Sequence, residues 1–513
     1  MKKTKSFILI YMCFLMCLSL ISCGDNDYSE KSVVFATNDS VSTFDPQLCQ
    51  TSAEITIATN SFEGLLTTDE NGKIINGMAQ SYTVSEDKKV YTFKIRDGMM
   101  WSDGETPLTA ADFEFGIKRA VMKSTDSPFV SALYSIKNAE KINKGNAKLS
   151  SLGVKADSNT LTITLNKADD GFLETLTRPV CFPCNKEFFD STSGKYGLSN
   201  KYIISNGAYS INYYNTDTKT VIIQNNEDYK GENGGIPKQI TVNYSENYED
   251  IYSDFKSKQI DIGVIECGYL KSLDDMGNQS KLYYNTNYCL FLSKKLVTQN
   301  GVALNKALTL DIDKGSIEKN ITDYYNAVEG IIPAVNTLGG SAYRNIAGAV
   351  KMPEYNVEKA EKLLGNFDEA TKVLNELSIY YPSDDEKISL ISNLIVQCWQ
   401  KDLNLYINSE AEKQDVILSK VKSDEILMAI IPVSSDNNNA VSSFNSLNLC
   451  GIETVGEKIS AKKLYEKEQE LIDDGIIYPV LSIPTAVSYT DKISGFTSSS
   501  DGKTVDFRFI KKS

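Results

Sequence analysis

Apolar residues recur along this chain with two different periods. Ser32-Val33-Val34-Phe35-Ala36 reads as a strand, and Thr160 to Leu165 alternates as one. Ser52 to Phe62 has the spacing of a short helix ending near Gly64. Leu65-Leu66-Thr67-Thr68, then Asp69-Glu70-Asn71-Gly72, then Lys73-Ile74-Ile75 predict a hairpin, because Asn-Gly supplies the positive φ angles of a tight turn. A second hairpin follows: Tyr82 and Val84 precede a charged turn, Ser85 to Lys89, and Val90 to Ile95 returns with Tyr91, Phe93 and Ile95 on one face. Thr109-Ala110-Ala111-Asp112 predicts a capping box, with Phe113, Ile117 and Ala120 at helical spacing behind it. Val357 to Leu364 and Ile388 to Trp399 carry helical stripes. The pattern is mixed α/β, without an internal repeat or a long disordered linker.

The first segment reads as an address. Lys2, Lys3 and Lys5 precede an apolar run of 14 residues, Phe7 to Leu20, too short for a permanent membrane span. Leu20-Ile21-Ser22-Cys23-Gly24 closes it and resembles the bacterial lipobox, which implies cleavage before Cys23 and lipid attachment to its thiol. The alternatives are an ordinary signal peptide or a greasy cytosolic start. Acyl chains contribute about 0.8 kcal/mol per buried methylene, enough for a multiply acylated Cys23 to hold the chain at a membrane. Gly24 to about Lys31 then reads as a tether, and no later run is long and apolar enough to cross a bilayer.

Composition narrows the chemistry. The chain has 513 residues, 53 Lys or Arg, 67 Asp or Glu and no histidine, so triads and metal sites that need imidazole are excluded. Its 41% hydrophobic and 10% aromatic residues suffice for about three domains' worth of core. Only Arg96, Arg119, Arg178, Arg344 and Arg508 carry guanidinium on a chain of net charge −14, which argues against nucleic acid as a partner. Beyond Cys23 stand Cys49, Cys181, Cys184, Cys267, Cys289, Cys398 and Cys450, an odd number that leaves at least one thiol unpaired within the chain. Cys181-Phe182-Pro183-Cys184 has redox spacing, but a lone pair without histidine favours a local disulfide or two inert thiols over an oxidoreductase centre. No metal and no cofactor are expected.

A series of blocks carries a family resemblance. Phe44-Asp45-Pro46, Phe62-Glu63-Gly64-Leu65, Asn71-Gly72-Lys73 and Tyr91-Thr92-Phe93-Lys94-Ile95-Arg96 come first. Trp101-Ser102-Asp103-Gly104, Thr109-Ala110-Ala111-Asp112-Phe113 and Lys118-Arg119-Ala120 form the most recognisable stretch. Ser205-Asn206-Gly207-Ala208-Tyr209, Gln259-Ile260-Asp261-Ile262, Ile331-Ile332-Pro333, Tyr478-Pro479-Val480 and Ser494-Gly495-Phe496 follow in order. Together they resemble the family 5 extracellular solute-binding proteins, the oligopeptide-binding lipoproteins of bacterial ABC transporters, over roughly 32–510.

The resemblance implies a two-lobed periplasmic-binding-protein-like fold, type II, cluster C, with an extra subdomain on the first lobe. The implied division is 1–22 signal peptide, 23–31 tether, 32–62 with 187–288 and 485–513 as lobe I, 63–186 as its subdomain, and 289–484 as lobe II. It further implies capture of a peptide or other small solute between the lobes and delivery to an ABC permease, with the ATPase a separate subunit, since no Walker A sequence occurs here. The expected protein is extracytoplasmic, lipid-anchored to the cell membrane and monomeric.

Peptide-binding members present an aspartate to the ligand's amino group in a stretch that reads Gly-Trp-x-x-Asp-Tyr, with a Phe beyond. Here it reads Ile431-Pro432-Val433-Ser434-Ser435-Asp436-Asn437, with Phe444 after it. Asp436, Asn437 and Phe444 are thereby the ligand-binding candidates, the alternative for Asp436 being an exposed acid in an Asn-rich loop. The family's usual Arg of lobe II is Asn305 here, and a usual Asn is Ser293. Arg344 is a candidate for a ligand carboxylate, though a surface role weighs more. Trp101 and Trp399 read as packing residues, and Lys118 with Arg119 as a solvated helix face. Tyr324-Tyr325 and Tyr380-Tyr381 read as ligand-stacking residues or as half-buried wall.

Two other readings stay open. One is a diverged member that senses or interacts at the surface without transport, or binds a non-peptide solute. A lipid-anchored hydrolase is remote: Ser-x-x-Lys pairs such as Ser85 with Lys88 and Ser253 with Lys256 arise by chance in so Ser- and Lys-rich a chain, and there is no Gly-x-Ser-x-Gly elbow.

Overall fold

The computed structural model describes residues 32–513 except 170, 233, 298–303, 321–323, 325, 327, 329, 339–340, 366, 384–385, 435–438, 457–458, 500–501 and 503. Cys23, the lipid-attachment candidate, lies outside the described residues.

Local signals fold as their chemistry dictates. Strand β1 (Ser32–Thr37) leads to a helix, Ser52–Ser61, whose Glu54 turns back to accept from the Gln50 and Thr51 amides. The hairpin β2 (Leu66–Thr68) and β3 (Ile74–Asn76) turns through Gly72 at φ +77°, a left-handed conformation that glycine adopts without strain. Next come β4 (Ala79–Val84), β5 (Val90–Ile95), β6 (Val154–Asp157) and β7 (Thr160–Thr164), an antiparallel sheet in the order β4-β5-β7-β6. Its inner face buries Tyr91, Phe93, Ile95, Leu161 and Ile163 against the helix Ala110–Val121. That helix starts where Asp112 accepts from the Thr109 amide at 2.8 Å and from its hydroxyl at 3.0 Å.

Nine further strands join β1 in one large sheet. They are β8 (Tyr209–Tyr214), β9 (Val221–Asn225), β10 (Gln239–Tyr244), β11 (Ile262–Ile265) and the 14-residue β12 (Gln279–Leu292). After a short pair, β13 (Thr337–Leu338) and β14 (Ser341–Ala342), come β15 (Ser378–Pro382), β16 (Asn408–Glu412), β17 (Met428–Val433) and the 13-residue β18 (Ile477–Tyr489). The order is β16-β15-β17-β12-β18-β11-β1-β10-β9-β8. Apolar packing falls into three clusters. The first holds Phe35, Phe93, Trp101, Phe113 and Phe507; the second Phe255, Leu290, Leu308, Ile391 and Trp399; the third Phe291, Tyr343, Phe444 and Leu464.

Both tryptophans are fully buried, Trp399 donating its indole N–H to the Leu308 carbonyl at 2.9 Å, as packing residues should. The expectation of a solvated Lys118-Arg119 face is corrected for Arg119. Lys118 meets Glu114 on its own helix, but Arg119 is 4% exposed. Its guanidinium donates to Asp45 at 2.9 Å and Gln47 at 2.6 Å and lies over the Phe189 and Tyr196 rings. The Phe44-Asp45-Pro46 segment, 74 residues away, covers this face and supplies the countercharge, which no local pattern contains.

Candidate functional site

Strand register locates the break in the molecule. β11 runs parallel to β1 and antiparallel to β18, and β18 is antiparallel to β12, so β1, β11 and β12 share one direction. β17 is antiparallel to β12, and β15 and β16 are parallel to β17, so this second set runs the opposite way. β11 ends at Ile265, opposite Ala486, which faces Leu282 of β12; β17 ends at Val433, opposite Asn287. The carboxyl ends of the two strand sets therefore point toward each other across an interval of β12 from 283 to 286. At about 3.3 Å per residue the two levels are separated by roughly 17 Å. Ligands of α/β sheets sit outside the carboxyl ends of strands, and here two such ends share one gap.

Among the described residues the long strands β12 and β18 bridge that interval, and both are irregular there. The β12–β18 register shifts between Tyr283 and Thr286, opposite Pro484, and again between Tyr288 and Cys289, beside Pro479. Proline has no amide hydrogen for the ladder, so it falls where a bulge releases the pairing and lets the strand bend. Polar side chains fill the break. The Asn285 amide donates to Thr485 at 3.0 Å, and Asn287 donates to the Gly330 and Ile331 carbonyls at 2.9 and 3.2 Å. The Ser482 hydroxyl donates to the Thr286 carbonyl at 3.1 Å, while its backbone pairs with Asn326. Asn285, Asn287 and Ser482 are all buried. Periodicity did not single these residues out; a signal was present in the two prolines of β18 and the Asn-Thr-Asn of β12.

On the first rim, Asp39 follows β1 and Glu266 follows β11. Burial raises the Tyr248 hydroxyl above its ordinary pKa and the Asp39 and Glu266 charges add to the rise, against the lowering hydrogen bond with Asn38. Tyr269, also raised by burial first, stacks on Tyr252 with centroids 4.9 Å apart. The Tyr324 hydroxyl donates to Asp274 at 3.1 Å, and Tyr284 donates to the Tyr324 carbonyl at 3.1 Å. Tyr325 lies outside the described residues, while Tyr380 and Tyr381 are half-buried.

Of the ligand-binding candidates, Asp436 and Asn437 lie outside the described residues, but their flanks are defined. Val433 closes β17 opposite Asn287, and Asn439 bridges to Thr337 while its side chain accepts from the Val441 and Ser442 amides at 2.9 and 3.1 Å. Phe444, on the helix Ala440–Asn445, is 1% exposed and packed in the third cluster. The weightier expectation for Arg344, a surface role, is corrected. It is 7% exposed and donates to Glu468 at 3.0 Å and to the Ile332 carbonyl at 3.0 Å. Asn305 is also buried, its amide donating to the Leu292 and Ser293 carbonyls at 2.9 and 3.0 Å, so it closes the end of β12.

Of the two readings favoured for Cys181 and Cys184, a local disulfide or a pair of thiols, the structure has the pair of buried thiols. All seven described cysteines are unbridged, and burial pushes the Cys181 and Cys184 thiols up to about 12, far from the range of a reactive thiolate. Among the described residues no group of three or more Asp, Glu, Cys or His is arranged to hold a metal ion, and no helix is long and apolar enough to cross a membrane.

The model of the bacterial extracellular solute-binding proteins, family 5 Middle, matches residues 73–454. The oligopeptide-binding protein OppA of Bacillus subtilis (strain 168) is 24% identical over 523 residues, covering 96% of this chain and 95% of its own. The periplasmic oligopeptide-binding protein OppA of Salmonella typhimurium is 26% identical over 506 residues, covering 91% and 90%. The solved structure of Listeria monocytogenes OppA bound to peptide superposes with a TM-score of 0.72 at 21% identity, over 94% of this chain and 99% of its own. With its opposed strand ends and bridging strands, the fold is that of the type II periplasmic binding proteins, and the chain belongs to the family 5 bacterial extracellular solute-binding proteins.

Proposed function

We propose that this chain captures peptides in the gap between the opposed strand ends and delivers them to an ABC permease driven by a separate ATPase subunit. One lobe comprises about 32–62, 187–288 and 485–513 with the subdomain 63–186, and the other about 289–484. The two close about β12 and β18, burying the ligand, and the closed form is the one the permease receives. Main-chain hydrogen bonds to strand ends supply affinity, and Asp436 pairs with the ligand's ammonium. The observation that carries this reading is the convergence of two sets of strand carboxyl ends on one interval, bridged by strands whose ladder is broken at Pro484 and Pro479.

The protein is expected to release a heterogeneous set of short peptides on unfolding and, once refolded, to take up peptides from a mixture and return them uncut. Native mass spectrometry reads both steps. Retention of no peptide by the refolded protein overturns the reading. Asp436→Asn is expected to weaken peptide binding at least tenfold, about 1.4 kcal/mol, and an unchanged dissociation constant removes Asp436 from the site.

Lipid attachment at Cys23 holds the protein at the outer face of the membrane in this reading, supported by the lipobox-like Leu20-Ile21-Ser22-Cys23. Cys23→Ala should abolish both palmitate labelling and membrane retention. Persistence of the two together would remove the anchor.

A further inference from the structure

A third connection crosses the interval beside β12 and β18. Its described residues are anchored in order. On the side where β17 ends, the Gly330 and Ile331 carbonyls accept from Asn287, and the next amide, that of Ile332, donates to Glu468 at 2.9 Å. Asn326 then pairs through its backbone with Ser482 of β18, its carbonyl accepting from the Ser482 amide at 3.1 Å. Tyr324 lies beyond the break. Its carbonyl accepts from the Tyr284 hydroxyl at 3.1 Å, within the interval, and its own hydroxyl donates to Asp274 at 3.1 Å.

The two ends of this path belong to different sides. Asp274 sits on the helix Leu270–Asp275, which follows β11 and precedes β12. Leu270 and Leu273 of that helix are buried in the second apolar cluster, and Tyr324 packs against the same cluster. Ile331 and Ile332 are buried in the third cluster, with Ile431 and Val433 of β17. Hydrogen bonds on β12 and β18 travel with those strands when the two sides rotate about the break. A contact that spans the gap away from them is made at one separation of the sides and lost at a wider one. It therefore biases the equilibrium between the two arrangements by its own free energy.

We propose that Tyr324 is a positioning residue for capture: through Asp274 and Tyr284 it holds the two sides of the interval at the narrower separation and so raises the affinity for a ligand enclosed between them. The ligand in this statement rests on the peptide reading above; the contact does not. The test uses the full-length protein in detergent, stripped of cargo. Tyr324→Phe keeps the ring and deletes the hydroxyl, and Asp274→Ala deletes its acceptor. In titration calorimetry with a peptide that the parent retains in native mass spectrometry, each variant is expected to bind about threefold to tenfold more weakly, the worth of one hydrogen bond. The double variant should be no weaker than either single one, since both remove the same contact. Asp274→Asn keeps an oxygen that accepts from the hydroxyl and should stay within about twofold of the parent.

Hydrogen exchange of the ligand-free proteins gives a second readout that a merely structural role would not move. The amides of 283–286 and 482–485 should exchange faster in Tyr324→Phe than in the parent, with the urea midpoint unchanged. Single variants that bind as tightly as the parent or more tightly, or losses that add in the double variant, overturn the proposal while peptide capture stands. Unchanged exchange across the interval overturns it whatever the affinity. A parent that retains no peptide overturns the peptide reading instead, and the exchange comparison then decides the role of Tyr324 by itself.

Discussion

Glu468→Ala is expected to destabilise the protein by about 3–5 kcal/mol, the cost of leaving a buried cation without its partner. Glu468 has no solvent exposure and sits on the helix Ala461–Asp473. One carboxylate oxygen accepts from the Ile332 amide at 2.9 Å, and the other from Arg344 and the Tyr343 hydroxyl, each at 3.0 Å. Arg344 cannot reach water from 7% exposure, so its charge would remain in an apolar cluster. Replacing both charges, as Glu468→Leu with Arg344→Met, removes that penalty and should recover part of the loss, although Ile332 and Tyr343 still lose an acceptor. Urea denaturation followed by a probe on the third apolar cluster checks both variants. A loss below 1 kcal/mol for Glu468→Ala, or a double variant less stable than the single one, would show that the pair does not act this way. Ligand affinity should fall as well, because the same network fixes the 330–332 segment that Asn287 holds beside the interval.

The second large effect has the opposite sign. Asp311 follows the helix Asn305–Leu310 with no solvent exposure, and neither carboxylate oxygen has a hydrogen-bond partner among the described residues. Burial, with the Asp402 charge adding to it and Lys401 opposing, pushes its pKa from 3.8 up to about 7. The folded protein therefore keeps a proton that the unfolded chain has released. Its stabilising contribution is complete below pH 4, declines as the pH rises toward 7 and is absent above that, a span of up to about 4 kcal/mol. Asp311→Asn removes the titration. The variant should match the parent near pH 4 and exceed it increasingly up to pH 8, as a thermal or urea series at several pH values will show. Parallel pH profiles for the two proteins would mean that Asp311 does not titrate as described.

Legibility followed sequence distance. The Asn71-Gly72 turn, the Thr109 to Asp112 start of a helix, the alternating strands and the stripes of 357–364 and 388–399 each depend on residues within a few positions of one another. Those signals are written in φ preference, capping and periodicity, and they were readable. Arg119 and Arg344 were misplaced because charge alone predicts solvent, and their partners Asp45 and Glu468 stand 74 and 124 residues away. Pairing at that separation exists only once the chain has closed the intervening loop. The polar residues of the β12–β18 break escaped for a related reason: an Asn in a strand looks like an interruption until its cross-strand partner is known.

The mixed α/β class, the absence of imidazole chemistry and, through ordered blocks, the family were all legible in the linear chain. These follow from composition and local pattern, which do not depend on how distant segments meet. That two sets of strand ends face one interval, that Arg119 and Arg344 are paired with distant buried carboxylates and that Asp311 is sealed from water came only with the folded chain. Strand direction and register are fixed by cross-strand hydrogen bonds, and ionisation by the dielectric and charges that other segments bring, so neither exists in the linear chain.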